Sequence, residues 1–161
     1  MLLQTTRCIL YKIEENDFDG VNRLYTNEEV RKYLGGTVDP DIIKEHFQQI
    51  VTSPAAGTYF VARMKDTNAF IGLLSLDIHH DRISTEISYQ LLPDWWGKGY
   101  ARECVEAVID FASYDLQLTE LVAETQAANL PSCRLLEKIG FQAVERLVRF
   151  DAEQILYKRK L

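Results

Sequence analysis

The chain has 161 residues, 47% of them hydrophobic and 26% charged, and its 24 acidic and 18 basic side chains give a formal net charge of −6. This composition fits one soluble globular domain over residues 1–161, large enough for its own core, and it excludes the basic surface that nucleic-acid phosphates require. No apolar run approaches the roughly eighteen residues of a membrane span, and residues 1–7 are too short for a signal peptide's apolar stretch.

The expected setting is therefore the cytoplasm, with Cys8, Cys104 and Cys133 as free thiols. His46, His79 and His80 make no metal signature with the cysteines, so no metal is expected. His79-His80 stands beside Asp77 and Asp81, a group that could hold a metal, but the stretch reads first as a solvated hairpin tip. The acidic balance favours a cationic partner, although it is also ordinary for cytosolic proteins.

In chain order, residues 5–12 read as a first strand. Asn16 or Asp17 caps a helix through Val21, Leu24 and Tyr25, and a second helical piece covers 28–34 before Gly35-Gly36 break it. Asp39-Pro40 opens a helix with Ile42, Ile43, His46, Phe47 and Ile50 on its apolar side. Residues 53–57 form a loop. Strands follow over 58–64 and 69–78, joined by a turn at 65–68. The second is apolar on both faces and is expected at the centre of the sheet. A strand at 119–124 precedes another helix, and two closing strands cover 141–147 and 150–160. The unit between 83 and 124 requires a right-handed parallel crossover. The expected fold is α/β, with a mixed, mostly antiparallel central sheet and helices on both faces.

The chain is organised around residues 86–102. Ile87, Tyr89 and Leu91 alternate with Glu86, Ser88 and Gln90, which is a strand signal. After Pro93 come Gly97 and Gly99, then Ala101, Cys104, Val105, Val108, Ile109 and Ala112 at helical spacing. A strand that opens through glycines into a helix N-terminus exposes unpartnered N–H groups at the positive end of the helix dipole, a site for an anion. The loop lacks a P-loop's Lys-Ser/Thr and a dinucleotide fold's third glycine, and Gly-x-Gly alone is more often a tight turn. A second stretch gives it weight. Residues 129–141 read as a short helix with Pro131 in its first turn, a Ser132/Leu135/Leu136/Ile139 face, and Gly140 at its end.

Together the two stretches resemble motifs A and B of the GNAT acyl-CoA N-acyltransferase superfamily. Motif A reads Trp96-Gly97-Lys98-Gly99-Tyr100-Ala101, with Trp96 where the family has Gln or Arg. Motif B matches at Asn129, Ser132, Leu135, Glu137, Lys138, Gly140 and Phe141. The wording is most similar to the branch of ribosomal-protein N-terminal acetyltransferases. The resemblance covers residues 58–141 well and the earlier part thinly.

The resemblance implies acetyl-CoA as cosubstrate and a primary amine as acceptor: a protein N-terminus, polyamine, amino acid or aminoglycoside. It admits a homodimer. Leu91 and Leu92 would pair their backbone with pantetheine, and Gly97, Lys98, Gly99, Tyr100, Ala101 and Arg102 would cradle the pyrophosphate. Trp96 would add a backbone N–H, Asn129 would both cap its helix and bond pantetheine, and Arg134 would join the cofactor contacts. Glu86 stands where the family carries a general base; it reads equally well as an exposed strand carboxylate or as one paired with Arg102 or Lys98. The family's usual acid, a Tyr between the motif-B Leu and Glu, is replaced by Leu136. Ser132 is the remaining donor, or else a first-turn residue bonding its own backbone. Cys133 has no histidine nearby in sequence to activate it. Asp151 and Glu153 are secondary candidates for binding the amine. Two rival readings are a non-catalytic acyl-CoA sensor on the same fold and a structural domain whose glycine loop is only a turn.

Overall fold

The computed structural model describes residues 2–161, and Met1, included in the N-terminal reading above, lies outside the described residues. Eight strands form one sheet: β1 (Leu2–Gln4), β2 (Cys8–Lys12), β3 (Thr58–Met64), β4 (Phe70–Ile78), β5 (Thr85–Leu91), β6 (Glu120–Gln126), β7 (Gln142–Arg149) and β8 (Ala152–Lys160). Their order is β1-β2-β3-β4-β5-β6-β8-β7. Every neighbouring pair is antiparallel except β5 with β6. The sheet is thus mixed and mostly antiparallel, and the fold is α/β.

Alternation along the strands divides the apolar side chains between two faces. On one face, Phe60, Leu74, Leu76, Ile87 and Leu91 pack against α4 (Tyr100–Tyr114) and α5 (Leu130–Lys138) through Cys104, Val105, Val108, Cys133 and Leu136. On the other, Val61, Phe70 and Leu73 meet α1 (Phe18–Tyr25), α2 (Glu28–Arg31) and α3 (Pro40–Thr52) through Val21, Leu24, Val30, Ile43 and Phe47. Strand β4 is covered on both faces because α4 packs over Ile71, Leu74 and Leu76 while α1 packs over Phe70 and Leu73. A bulge adds to this: Ala62 opposes Gly72 and Arg63 opposes Phe70, leaving Ile71 as the extra residue.

Gly72 is held there by backbone. A Cβ at this position would lie 2.2 Å from the Gln90 carbonyl oxygen, which no rotamer change relieves. Gly72→Ala is expected to cost about 2 kcal/mol, measured as a lower urea midpoint at unchanged slope.

Several elements differ from the sequence-based expectation. Residues 5–7 form a turn between β1 and β2, because the Thr5 backbone N–H bonds the Cys8 carbonyl and the Thr5 hydroxyl accepts from the Cys8 N–H. Helix α2 stops at Arg31, whose guanidinium bonds the carbonyls of Leu34 and Gly36 across the turn. Ile42 is exposed, so the buried stripe of α3 is the narrower Ile43–Phe47–Ile50 series. His79 does not belong to a solvated tip: it is 2% exposed, and the tip begins beyond it. Among the described residues, no helix is long and apolar enough to cross a membrane.

Candidate active site

The central feature of the site is where β5 and β6 part. β5 pairs with β4 along its whole length and β6 with β8 along its whole length, yet β5 and β6 share one register pair, Glu86 with Val122. The Leu92 N–H bonds the Ile71 carbonyl, so the even-numbered residues of β5 carry the ladder to β4. The N–H and C=O groups of Tyr89 and Leu91 accordingly turn toward the gap. These are the groups an extended amide-bearing ligand would pair with.

Leu92 does not offer such groups. Its N–H is bonded to Ile71, its carbonyl accepts from the Trp95 N–H, and its side chain is buried, so it is a packing residue. Leu91 keeps its N–H for the gap, while its carbonyl accepts the Trp96 indole N–H at 2.9 Å. Trp96 therefore acts through its ring nitrogen. The backbone N–H expected to serve the ligand donates instead to the Pro93 carbonyl at 3.1 Å. Trp95 covers the loop, with its indole on the Phe70 carbonyl and its ring edge-on to Tyr100.

At the wide end of the gap the chain passes through Gly97 (φ 71°) and Gly99 (φ 84°), both left-handed and suited to glycine. Gly99 is the N-cap of α4 and brings no side-chain cap. The backbone N–H groups of Gly97, Lys98, Gly99, Tyr100, Ala101 and Arg102 have no protein acceptor among the described residues, and the first intrahelical donor is Glu103, bonded to the Gly99 carbonyl. Six unpartnered donors at the positive end of a 15-residue helix suit an anion cradle.

Arg7, which no motif or periodicity singles out, braces this cradle. Its guanidinium donates to the Lys98 carbonyl at 3.1 Å and to Glu103 at 2.9 Å, and stacks 3.8 Å from the Tyr100 ring centre. Lys98 ties back to the Asp94 carbonyl and Arg102 pairs with Glu106. Neither is the partner of Glu86 that one reading of the sequence supposed.

Glu86 lies on the sheet face opposite α4 and α5, at the point where the strands part. Desolvation raises its pKa above the ordinary value; His79 opposes the shift and Glu124 adds to it. Glu124 is itself buried and accepts from His79, His80 and Arg149. On the same face Asp77 stands across the ladder from Glu86 and accepts the Tyr59 hydroxyl at 3.0 Å. The face is acidic around one half-buried carboxyl.

Through the gap, on the helical face, the Ser132 hydroxyl shares a 2.7 Å hydrogen bond with the Tyr89 hydroxyl. Burial pushes the Tyr89 pKa up to about 12, so it keeps its proton at neutral pH. Asn129 caps α5 by accepting the Ser132 N–H at 3.4 Å, and Arg134 is exposed on the same helix. Leu136, at the family's tyrosine position, is buried in the core. Cys133 is buried as well. Asp151 and Glu153 lie in the β7–β8 hairpin, where Glu153 pairs with Arg146, and the structure does not bring them to Glu86. An open depression of about 640 Å³ between α1, α2 and the Pro93 turn is lined by Arg23, Glu28, Glu29, Leu92 and Asp94; Glu86 does not line it.

A family model described as an acetyltransferase (GNAT) domain matches residues 7–142. The N-acetyltransferase p20 of Bacillus licheniformis is 31% identical over 145 residues, covering 87% of this chain and 82% of its own. Among solved structures, spermidine N-acetyltransferase from Vibrio cholerae, in complex with CoA and spermine, aligns with a TM-score of 0.82 at 21% identity, over 95% of each chain. The ribosomal-protein-S5-alanine acetyltransferase from Vibrio fischeri aligns at 0.81 and 18% identity, over 99% of this chain and 96% of its own.

Proposed function

Because this chain belongs to the GNAT acetyltransferase family, and is on that ground an N-acetyltransferase, we propose the following division of labour among its residues. The observation that carries it is the single register pair between β5 and β6. It leaves a gap with a half-buried carboxyl on one face, a hydroxyl pair on the other, and an anion cradle at its end.

The cradle at residues 97–102 binds the pyrophosphate of acetyl-CoA, and the exposed edge of β5 at Tyr89 and Leu91 pairs with the pantetheine amides. Asn129 and Arg134 add contacts from α5. The thioester then lies in the gap, reachable from both faces. The acceptor amine arrives on the acidic face as an ammonium ion, held by Glu86 with Asp77 nearby. A free ammonium has a pKa near ~10 and an ordinary Glu near ~4.3, so the raised pKa of Glu86 narrows the mismatch without closing it. Glu86 accepts the proton directly or through water, and the neutral amine attacks the thioester carbonyl.

The departing thiolate faces Ser132. A thiol has a pKa near ~8.5, well below that of the buried Tyr89, so proton donation from this pair is uphill. Hydrogen bonding to the developing charge is the favoured role, with Tyr89 polarising the serine hydroxyl. Ser132→Ala is expected to lower kcat about tenfold with little change in CoA affinity, measured by steady-state kinetics and CoA titration. An unchanged kcat would remove the pair from the chemistry.

The acceptor fits the chemistry of a primary amine carried as a cation, such as a polyamine or a protein N-terminus. The relatives that act on spermidine and on a ribosomal protein represent these two kinds. A screen of amines scored by thiol release from acetyl-CoA tests the reading. Thiol release that depends on an amine supports it, and CoA binding without any amine-dependent release would favour a sensor.

A further inference from the structure

We propose that His79, His80 and Glu124 form a binding site for one divalent transition-metal ion, with Zn²⁺ the ion whose preferences the three donors fit. Strand β4 ends at Ile78, so the next two residues are released from the strand rule that sends neighbours to opposite faces. Their rings instead lie together, centroids 3.9 Å apart. Both Nε2 atoms reach the same oxygen of Glu124, each at 3.0 Å, from a strand on the far side of β5. The three donor atoms lie within 4.8 Å of one another.

Two imidazoles and a carboxylate are a borderline-soft set that suits Zn²⁺. Metal–ligand bonds of about 2.0–2.1 Å at tetrahedral angles put donor atoms about 3.3 Å apart. The two nitrogen–oxygen separations need to open by only a few tenths of an ångström to match.

The surroundings supply the outer partners a metal site uses. Arg149 donates to the second oxygen of Glu124 at 2.8 Å, which leaves the first aimed at the histidines. His79 Nδ1 accepts the Asp81 backbone N–H at 3.4 Å, and an Asp81 carboxylate oxygen stands 3.5 Å away, the acceptor to which Nδ1–H turns when Nε2 binds metal. Asp81 is in turn fixed by the N–H groups of Ile83 and Ser84 and by the Ser84 hydroxyl. His79 and Glu124 are buried while His80 is 42% exposed, which gives a solvent-side entry and room for a water as fourth ligand.

The site adjoins Glu86, whose register partner Val122 lies two residues before Glu124 on β6. A bound cation there repels the acceptor ammonium, so Zn²⁺ and acceptor compete. That consequence rests on the acetyl-transfer reading; the binding itself does not.

The test is calorimetric titration of Zn²⁺ into the untagged, chelator-treated chain, with Co²⁺ as a spectroscopic probe. The expected result is about one Zn²⁺ per chain with Kd near or below ~10 μM, and a Co²⁺ spectrum in the visible without thiolate charge transfer. His80→Ala, at an exposed position that leaves the core intact, should weaken binding at least about tenfold. His46→Ala, outside the cluster, should leave affinity unchanged. Glu124→Gln gives the same answer from the carboxylate, with circular dichroism confirming its fold. Kd weaker than ~100 μM, equal affinity in His80→Ala, or a thiolate band pointing to the cysteines would each overturn the site. Loss of binding in His80→Ala with amine-dependent thiol release intact keeps the two readings separate.

Discussion

Gly99→Val should abolish the rise in Tm that CoA confers on the wild-type chain. Saturating CoA at one hundred times its Kd stabilises by about 2.7 kcal/mol, which is about 5–10 °C for a domain of this size. The whole of that shift is expected to disappear. Gly99 holds φ at 84° while capping α4, and a branched side chain there is strained. A Cβ would also stand 3.3 Å from the Arg7 guanidinium that braces the loop. The loop's unpartnered N–H groups depend on that left-handed geometry, so the loss falls on anion binding first. The variant's own Tm should drop by a few degrees, consistent with the ~1–2 kcal/mol cost of an unsuitable φ. A folded Gly99→Val that still gains stability from CoA would remove the cradle from the proposal.

The residues that make the cradle were legible because their signal is local. A strand, two glycines and an amphipathic helix lie within one short stretch, and periodicity with glycine chemistry reads such stretches directly. β3 matches its expected span of 58–64 for the same reason. The brace on the cradle was not legible. Arg7 and Glu103 are 96 residues apart, and nothing in either neighbourhood marks them as partners. Tyr89 illustrates a second kind of failure. Its alternation marked it as a strand residue, and it packs partly buried against the core, but its hydroxyl also meets Ser132 from a helix 43 residues on. The pairing of His79 and His80 with Glu124 required knowing that β6 lies beside β5, which only the tertiary topology reveals. Leu92 and Trp96 show the reverse error. Motif position suggested ligand-facing backbone groups, but the ladder to β4 takes the Leu92 N–H and the Pro93 turn takes the Leu92 carbonyl and the Trp96 N–H.

Glu86→Gln is expected to lower the rate at neutral pH by roughly ten- to a thousandfold, the range for a positioned acid–base group or close to it. Glutamine keeps the shape and the face of the sheet and removes the proton acceptor. CoA affinity should hardly move, since the cradle lies beyond the Pro93 turn. The defect should shrink as the pH rises, because more of the amine then arrives already neutral. Stability provides an independent check with its own sign. Desolvation raises the folded-state pKa of Glu86 above the ordinary value of 4.5, so folding favours the protonated carboxyl. That contribution is fully present below the unfolded value and is lost as the pH climbs through the raised one. Glutamine, which cannot ionise, should therefore make the chain no less stable near neutrality, with any gain vanishing in acid. A variant that is slow at every pH and also less stable at neutrality would make Glu86 a structural residue of the strand. A slow but fully stable variant, recovering toward alkaline pH, is the signature of a base.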